Sequence, residues 1–418
     1  MMKYALCLGF ALSACASSPN LKAAIPTPHK KPLTTVSKEV QDFEQKFTSW
    51  KKTFIVEALQ KGYDKKLVAR TIGKAKINPK AITKDRKQPE YSRPLWDYLA
   101  KAASTERINT GKTKLAANAA LFSSVEARYN VDKYILAAIW GLESDYGTIL
   151  GDDDMIDALS TLAADGRRKA FAENQLYAIL ELLASGHVRQ SQLRGSWAGA
   201  MGMTQFIPTT FRDYAVDYDN NGNIDLWTNK GDALGSAANY LSRFGWRNTE
   251  PVLAEVKLPK GFDMALADGV TRSISGWAGL GVVPMNGQNW SNQALFLEAK
   301  LLVPAGAKGP IFLSFKNFDV IKKYNNSTAY ALGIAALAHG FQDKTMIIAD
   351  WPTNDVPLTR SQRIKLQQAL TKQGFDTGGV DGILGPKSRR AIRAWQKANH
   401  LPVDGYVNID LYGRIIKG

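Results

Sequence analysis

The sequence predicts a mainly α protein, α+β in class, built as one large domain followed by a small C-terminal module. Three observations carry this expectation. Apolar residues Phe43, Phe47, Trp50 and Phe54 recur at spacings of three and four, the signature of one buried helical face. The same pattern returns over Ser123–Ser144, Arg168–Ser185, Asp232–Phe244 and Ser327–Ala338, whereas strand-like segments are few, at Val252–Leu258 and Ala294–Leu302. A stretch with two prolines, Ala349–Pro357, then separates a tail of about 60 residues, near the lower limit for independent folding.

The chain has 418 residues, enough for more than one domain, and 45% of them are hydrophobic, as ordinary cores require. Lysine and arginine number 54 against 38 acidic residues, a net charge of +16 that favours an anionic partner. The N-terminus narrows that choice. Lys3 precedes the apolar run Tyr4–Leu12, too short to span a bilayer but suited to a signal-peptide core. The run ends in Leu12-Ser13-Ala14-Cys15, which resembles a bacterial lipobox. That resemblance implies cleavage before Cys15, lipidation of that cysteine and, because Ala16 rather than aspartate follows, sorting to the outer membrane; a plain secretory signal is the alternative. With Cys7 lost in the signal and Cys15 lipidated, the mature chain has no thiol for a disulfide or a nucleophile. An extracytoplasmic address argues against nucleic acid as a partner.

Taken in order, residues 1–14 are expected to be the signal and 15–39 a lipidated tether, with Pro26, Pro28 and Pro32. Residues 40–345 form the large domain, 346–357 a linker and 358–418 the module. The module contains an echo, Val380-Asp381-Gly382 and Val403-Asp404-Gly405, in which each Asp-Gly marks a turn.

The residue that asks for a function is Glu143, set into Ala137–Gly147 with no basic residue within a helical turn. On a helix it shares a face with Leu136, Ile139 and Trp140. A carboxylate held there is desolvated, so its pKa is expected to rise and the group becomes able to donate a proton. A boundary glutamate at a helix end, with Gly147 as the stop signal, satisfies the same pattern. Asp145 should project from the opposite side of the turn, and Asp152, Asp153 and Asp154 are expected as solvated loop charges; as a nucleophile or base partner to Glu143, any of these would instead make a hydrolase.

Several ordered motifs then coincide. Ile139-Trp140-Gly141-Leu142-Glu143-Ser144 ends at Gly147; Leu159–Ala163 and Gly166-Arg167-Arg168 follow. Gly195-Ser196-Trp197-Ala198-Gly199-Ala200-Met201-Gly202 runs into Thr204-Gln205-Phe206-Ile207-Pro208. Asp85–Glu90 lies upstream, and Tyr324-Asn325-Asn326-Ser327 with Tyr330 lies downstream. Over residues 40–342 this series resembles the lytic murein transglycosylase B family. The resemblance implies a lysozyme-like catalytic domain with an additional helical region. It further implies cleavage of the β-1,4 bond between N-acetylmuramic acid and N-acetylglucosamine in peptidoglycan, without water, to give 1,6-anhydromuramyl ends. Glu143 is implied as the sole catalytic carboxylate, acid and then base, and Ser196, Gln205, Tyr324, Asn325 and Tyr330 as residues lining the sugar cleft. No cofactor is implied. A muramidase that uses water and a non-catalytic wall-binding scaffold are the competing readings.

Asp217–Asp225 follows the alternating calcium-loop pattern with Gly222 at the sharp turn, but Thr228 stands where the bidentate glutamate belongs. By the resemblance Asp232 closes a longer loop, so Asp217, Asp219, Asn221, the Asn223 carbonyl and Asp232 are candidate ligands for Ca²⁺ or Na⁺. An Asx-rich turn without metal fits equally. The four histidines are scattered without zinc spacing. Finally, Leu366–Leu370, Gly374-Phe375, Val380–Gly385, Ala391–Gln396 and Leu401–Gly405 resemble the peptidoglycan-binding domain 1 family, which implies a three-helix module that holds an enzyme on the sacculus. Expected partners are therefore glycan strands, the outer membrane through the lipid, and cell-wall synthesis proteins.

Overall fold

The computed structural model describes residues 38–86 and 94–418. The expected signal, Cys15, most of the expected tether and Lys87–Glu90 lie outside them. The helices in order are α1 (Lys38–Gln60), α2 (Lys65–Arg70), α3 (Pro79–Arg86), α4 (Leu95–Ala102), α5 (Thr105–Ala117), α6 (Ala119–Tyr129), α7 (Lys133–Ser144), α8 (Met155–Asp165), α9 (Lys169–Ala184), α10 (Pro208–Tyr214), α11 (Lys230–Arg243), α12 (Ile274–Gly279), α13 (Lys316–Tyr324) and α14 (Thr328–Phe341). Phe47, Trp50, Phe54 and Ala58 of α1 are buried, and the Phe54 ring stacks on Tyr177 of α9 at 4.6 Å.

The expected helix over Ser123–Ser144 is in fact two, α6 and α7. Asn130 takes the left-handed conformation (φ 54°) and ends α6, and the Asp132 carboxylate then accepts from the Tyr134 and Ile135 amides to start α7. The chemistry of Asn130-Val131-Asp132 overrides an uninterrupted apolar period. The segment Ala294–Leu302 also divides, into a short 3₁₀ turn and a strand from Glu298.

Between α11 and α13 the chain leaves the helical core to build a five-stranded antiparallel sheet. Its strands are β3 (Leu253–Lys257), β4 (Thr271–Ser273), β5 (Val283–Pro284), β6 (Glu298–Leu302) and β7 (Phe312–Ser314), in the order β4-β6-β7-β3-β5. Leu313 sits opposite Ala254 on one side and Leu301 on the other. Val256, Ile274, Trp277, Leu301 and Leu313 form a hydrophobic core of their own under this sheet. A two-stranded ladder, β1 (Asp153–Asp154) with β2 (Arg194–Gly195), lies in the helical part.

Residues 342–359 are held rather than free. The Ile348 and Ala349 amides donate to the Glu255 carboxylate at 2.6 and 3.0 Å, and Trp351 meets Trp96. Thr359 and Gln362 then make a reciprocal capping box that starts α15 (Arg360–Lys372). With α16 (Pro386–Ala398) and α17 (Ile409–Lys417) it encloses a third core of Leu366, Leu370, Ile392, Trp395 and Ile415. Among the described residues no helix is long and apolar enough to cross a membrane.

Candidate active site

Helix α7 runs through the main core: Ile135 to Gly141 are all buried, so α5, α6, α11 and α14 enclose it. Burying each Leu or Ile of this kind stabilises by about 1.5–3 kcal/mol, which anchors the helix that carries Glu143. Glu143 itself is half-buried at the rim, beyond the fully buried Leu136, Ile139 and Trp140.

The helix stops earlier than Gly147. Asp145 (φ 49°) and Tyr146 (φ 58°) are both left-handed before Gly147 (φ 84°) is reached. Two non-glycine residues in this region cost about 1–3 kcal/mol each. The offset lies in what Tyr146 reaches. Its ring packs edge-on to Trp140 at 5.7 Å, and its hydroxyl donates to the Arg107 carbonyl at 2.7 Å. Gly141 makes room for that ring, since a Cβ there would lie 2.6 Å from Tyr146 Cζ. The spacing Trp140-Gly141…Tyr146 is thus a packing device that turns the chain sharply after the glutamate.

Two tyrosines distant in sequence lie near Glu143, one of them bonded to it. Ser327 caps α14 and places Tyr330 in its first turn, from which the Tyr330 hydroxyl donates to Glu143 Oε1 at 2.6 Å. Burial, reinforced by the Glu143 charge, pushes the Tyr330 hydroxyl well above its ordinary value, so it stays a proton donor. Tyr324, at the end of α13, is pushed the same way by burial and by Glu143, and donates to the Thr204 carbonyl at 2.5 Å.

The segment 195–208 lies beside the end of α7, where the Ser144 hydroxyl and the Tyr324 hydroxyl bond its Met203 and Thr204 carbonyls. Met201 and Phe206 exchange backbone hydrogen bonds, with Gln205 left-handed (φ 50°) at the turn. The Gln205 amide donates to the Leu150 and Gly202 carbonyls. Ser196 Oγ accepts from the Ala198 and Ala200 amides, which shapes the loop before this hairpin. Asn325 is exposed at the end of α13, next to Tyr324. Of the five expected lining residues, the structure places Tyr330 on the glutamate and Tyr324 in its field. Ser196 and Gln205 shape the adjoining hairpin, and Asn325 sits on the surface beside Tyr324.

Sequence reasoning missed Ser144. Its buried hydroxyl donates to the Met203 carbonyl at 2.6 Å and accepts from the Gly147 amide at 2.9 Å, tying the residue after Glu143 to the hairpin. A small hydroxyl directly after a candidate acid was the available signal. The role of Asp85 was also missed: it is buried and paired with Arg167 and Arg168, and the Arg168 guanidinium in turn lies over Trp197. Three separately read motifs therefore meet in one network.

Of the acids offered as alternatives to a lone glutamate, Asp152 is exposed, as expected, and the other three are engaged with their own partners. Asp145 is half-exposed and faces Arg107 at 3.9 Å. Asp153 and Asp154 are not solvated loop charges, as the sequence had suggested. Asp153 pairs with Lys84 at 3.0 Å; burial acts against its charge, but the Lys84 and Asn78 hydrogen bonds prevail and hold it below the ordinary range. Asp154 caps α8.

In the acidic loop, Asp217, Asp219 and Asp232 each offer an oxygen within 4.8 Å of the others. Among the described residues none of the three has a lysine or arginine partner. Burial, with the Asp219 and Asp217 charges adding, pushes Asp232 up against opposing backbone amides. Converging carboxylates without a cation are the donor set a hard cation takes, so the fit to Ca²⁺ is good. Asn221 lies in the same turn, its side-chain oxygen accepting from the Asn223 amide. Thr228 is turned to Asp225 instead, its amide and hydroxyl both donating to that carboxylate. The loop is braced by Tyr218, whose hydroxyl donates to Ser124 and whose ring carries Arg128.

Comparison with known proteins places these features. Residues 46–339 match the transglycosylase SLT domain family, and residues 359–415 match a family of peptidoglycan-binding domains. The chain is 32% identical over 212 residues to the membrane-bound lytic murein transglycosylase B of Escherichia coli, a match that covers 49% of this chain and 56% of that protein. Among solved structures, SltB3 of Pseudomonas aeruginosa, determined with NAG-anhNAM-pentapeptide, is 45% identical over 88% of this chain and 99% of its own, with a TM-score of 0.84. Slt35 of Escherichia coli, determined with calcium, is 27% identical over 70% of this chain and 92% of its own, with a TM-score of 0.60. The chain belongs to the SLT-domain transglycosylase family and carries a peptidoglycan-binding domain at its C-terminal end.

Proposed function

We propose that the chain is a lytic transglycosylase of peptidoglycan, with Glu143 as its one catalytic carboxyl group. The observation that carries this reading is a single glutamate held by the Tyr330 hydroxyl, while the nearby Asp145, Asp153 and Asp154 are engaged with other partners. A hydrolase of the two-carboxylate type needs a second acid facing the first across the sugar.

In the proposed reaction, protonated Glu143 gives its proton to the glycosidic oxygen between N-acetylmuramic acid and N-acetylglucosamine, and the C1–O bond breaks. The muramyl 2-acetamido oxygen covers C1 in place of a protein nucleophile, as substrate-assisted glycosidases do. The Glu143 carboxylate then takes the proton of the muramyl 6-hydroxyl as O6 bonds to C1 and displaces the acetamido oxygen. Glu143 ends protonated, and no water is consumed. Tyr330 keeps the carboxyl group oriented through both steps, and Tyr324 and the 201–206 hairpin fix the adjoining wall. The acidic loop would hold Ca²⁺ or Na⁺ as a brace and takes no part in the chemistry.

The chain's products from purified sacculi, measured by mass spectrometry, test the reading. Anhydromuramyl ends, lighter than reducing ends by one water, are expected; reducing ends alone would establish a muramidase. Glu143→Gln is expected to abolish release while retaining binding; unchanged release would remove Glu143 from the chemistry, and binding without any release by the parent chain would leave only a wall-binding scaffold. Lipidation at Cys15 and residence on the periplasmic face of the outer membrane complete the proposal. They are supported by the lipobox-like Leu12–Cys15 and tested by Cys15→Ala, which should move the chain from the membrane to the soluble fraction.

A further inference from the structure

The C-terminal module contains the same clamp twice. In the first, buried Gln367 donates to Asp381 Oδ1 and to the Ile383 carbonyl and accepts from the Gly382 amide, while the Ile383 amide donates to Asp381 Oδ1. In the second, buried Gln396 donates to Asp404 Oδ1 and to the Tyr406 carbonyl and accepts from the Gly405 amide, while the Tyr406 amide donates to Asp404 Oδ1. Gly382 (φ 77°) and Gly405 (φ 74°) make the same left-handed turn, and each clamp leads into a helix four residues later. Behind each glutamine, seven residues earlier, stands an arginine: Arg360 and Arg389.

The second clamp is filled by the chain itself. Asp404 Oδ2 accepts from the Ala307 amide at 3.1 Å, and Gly306 packs so closely on Tyr406 that a Cβ there would lie 2.8 Å from it. Arg389 and Arg393 pair with the carboxylate of Asp268. The ligand of a filled clamp is therefore a peptide backbone of small residues with a carboxylate beside it. The first clamp shows the equivalent groups to solvent. Asp381 and Arg360 are exposed, Asp381 Oδ2 has no partner among the described residues, and Val380 and Ile383 are 45% and 67% exposed.

We propose that the Asp381 clamp is the ligand face of the module and that its ligand is the stem peptide of peptidoglycan rather than the glycan. Asp381 Oδ2 accepts a backbone N–H of the stem, Arg360 meets a stem carboxylate, and Ile383 covers a small side chain. Within the wall polymer, that combination of amides, small side chains and carboxylates belongs to the stem. The inference rests on the reading that the chain acts on peptidoglycan.

The test uses the full chain carrying Glu143→Gln, so that sacculi stay intact, in cosedimentation with two substrates: whole sacculi, and sacculi freed of stems by an amidase. Asp381→Asn and Arg360→Glu are each expected to weaken binding to whole sacculi by about tenfold and to leave binding to stem-free glycan unchanged. Ile383→Glu, on an exposed side chain outside the clamp's hydrogen bonds, should do the same without disturbing the loop. Unaltered binding of all three variants to whole sacculi, or an equal loss on stem-free glycan, overturns the proposal alone. Failure of the parent chain to bind either material overturns the proposed function with it.

Discussion

Ser144→Ala isolates the role of the residue behind the glutamate. The Ser144 hydroxyl serves the Met203 carbonyl and the Gly147 amide inside a site that is 1% exposed. Alanine leaves the buried Met203 carbonyl and the half-buried Gly147 amide without this partner, at about 1–3 kcal/mol for the first and about 1–2 kcal/mol for the second, so the expected loss of stability is about 2–5 kcal/mol. For a domain of this size that lowers Tm by roughly 5–15 °C. The turnover number should fall further than stability alone predicts, because the hydroxyl fixes the end of α7 against the hairpin, and small displacements of a catalytic group cost about ten- to a hundredfold. Thermal denaturation followed by circular dichroism, with anhydromuropeptide release measured well below the variant's Tm, reads both quantities. KM should change little, since Ser144 is turned inward to the protein backbone. A variant with the parent's Tm and turnover number would refute the reasoning; a lower Tm with full turnover would refute the positioning role alone.

Tyr330→Phe keeps the buried ring but removes a donor that favours the ionised Glu143, so the alkaline limb of the pH–rate profile, where the protonated acid is lost, should move upward, while turnover at the optimum should fall because the carboxyl group loses its orientation. The parent should show no loss from Tyr330 ionisation below pH 10, because its hydroxyl is held well above that value. Calcium should raise Tm, and Asp217→Ala or Asp232→Asn should remove the increment in differential scanning calorimetry; an equal increment in the variants would dismiss the loop as the site. Asp132 is pushed above its ordinary value of 3.8 by burial, so its contribution to stability falls as pH rises through the window above 3.8. Asparagine caps a helix nearly as well and does not ionise. The stability of Asp132→Asn relative to the parent should therefore improve between pH 3.5 and pH 7 in urea titrations.

How much of this was legible in the sequence depends on the distance over which each interaction acts. Helices with a clean apolar period, such as Phe47-Trp50-Phe54, were readable because burial imposes that period directly. The break between α6 and α7 was missed, although Asn130 and Asp132 carry it, because the apolar residues around it continued the helical pattern across. The five-stranded sheet was only glimpsed in two segments. Its strands are two to five residues long, too short for alternation to stand out, and they pair across up to about sixty residues of chain.

The site divides along the same line. A glutamate against Leu136, Ile139 and Trp140 is a local fact, and the sequence exposed it as a misfit in an apolar helix. The Tyr330 hydroxyl that meets it comes from 187 residues away, so no local pattern contains the contact. The motifs were nevertheless readable as separate signatures, because each carries its own backbone demand: Gly141 for the Tyr146 ring, left-handed Gln205 at a hairpin, Ser327 as a cap. What the sequence could not contain was their convergence. Asp145 makes the point most directly. Its position two residues after Glu143 made it a candidate second acid, yet the left-handed turn at that residue sends it toward Arg107, away from a role beside the glutamate. Restoring a helical turn there would require moving the buried Tyr146 ring out of the space that Gly141 leaves for it. The same packing that ends α7 thus commits Asp145 elsewhere, and the proposed one-carboxylate mechanism draws on how the core is filled as much as on which acids the chain possesses.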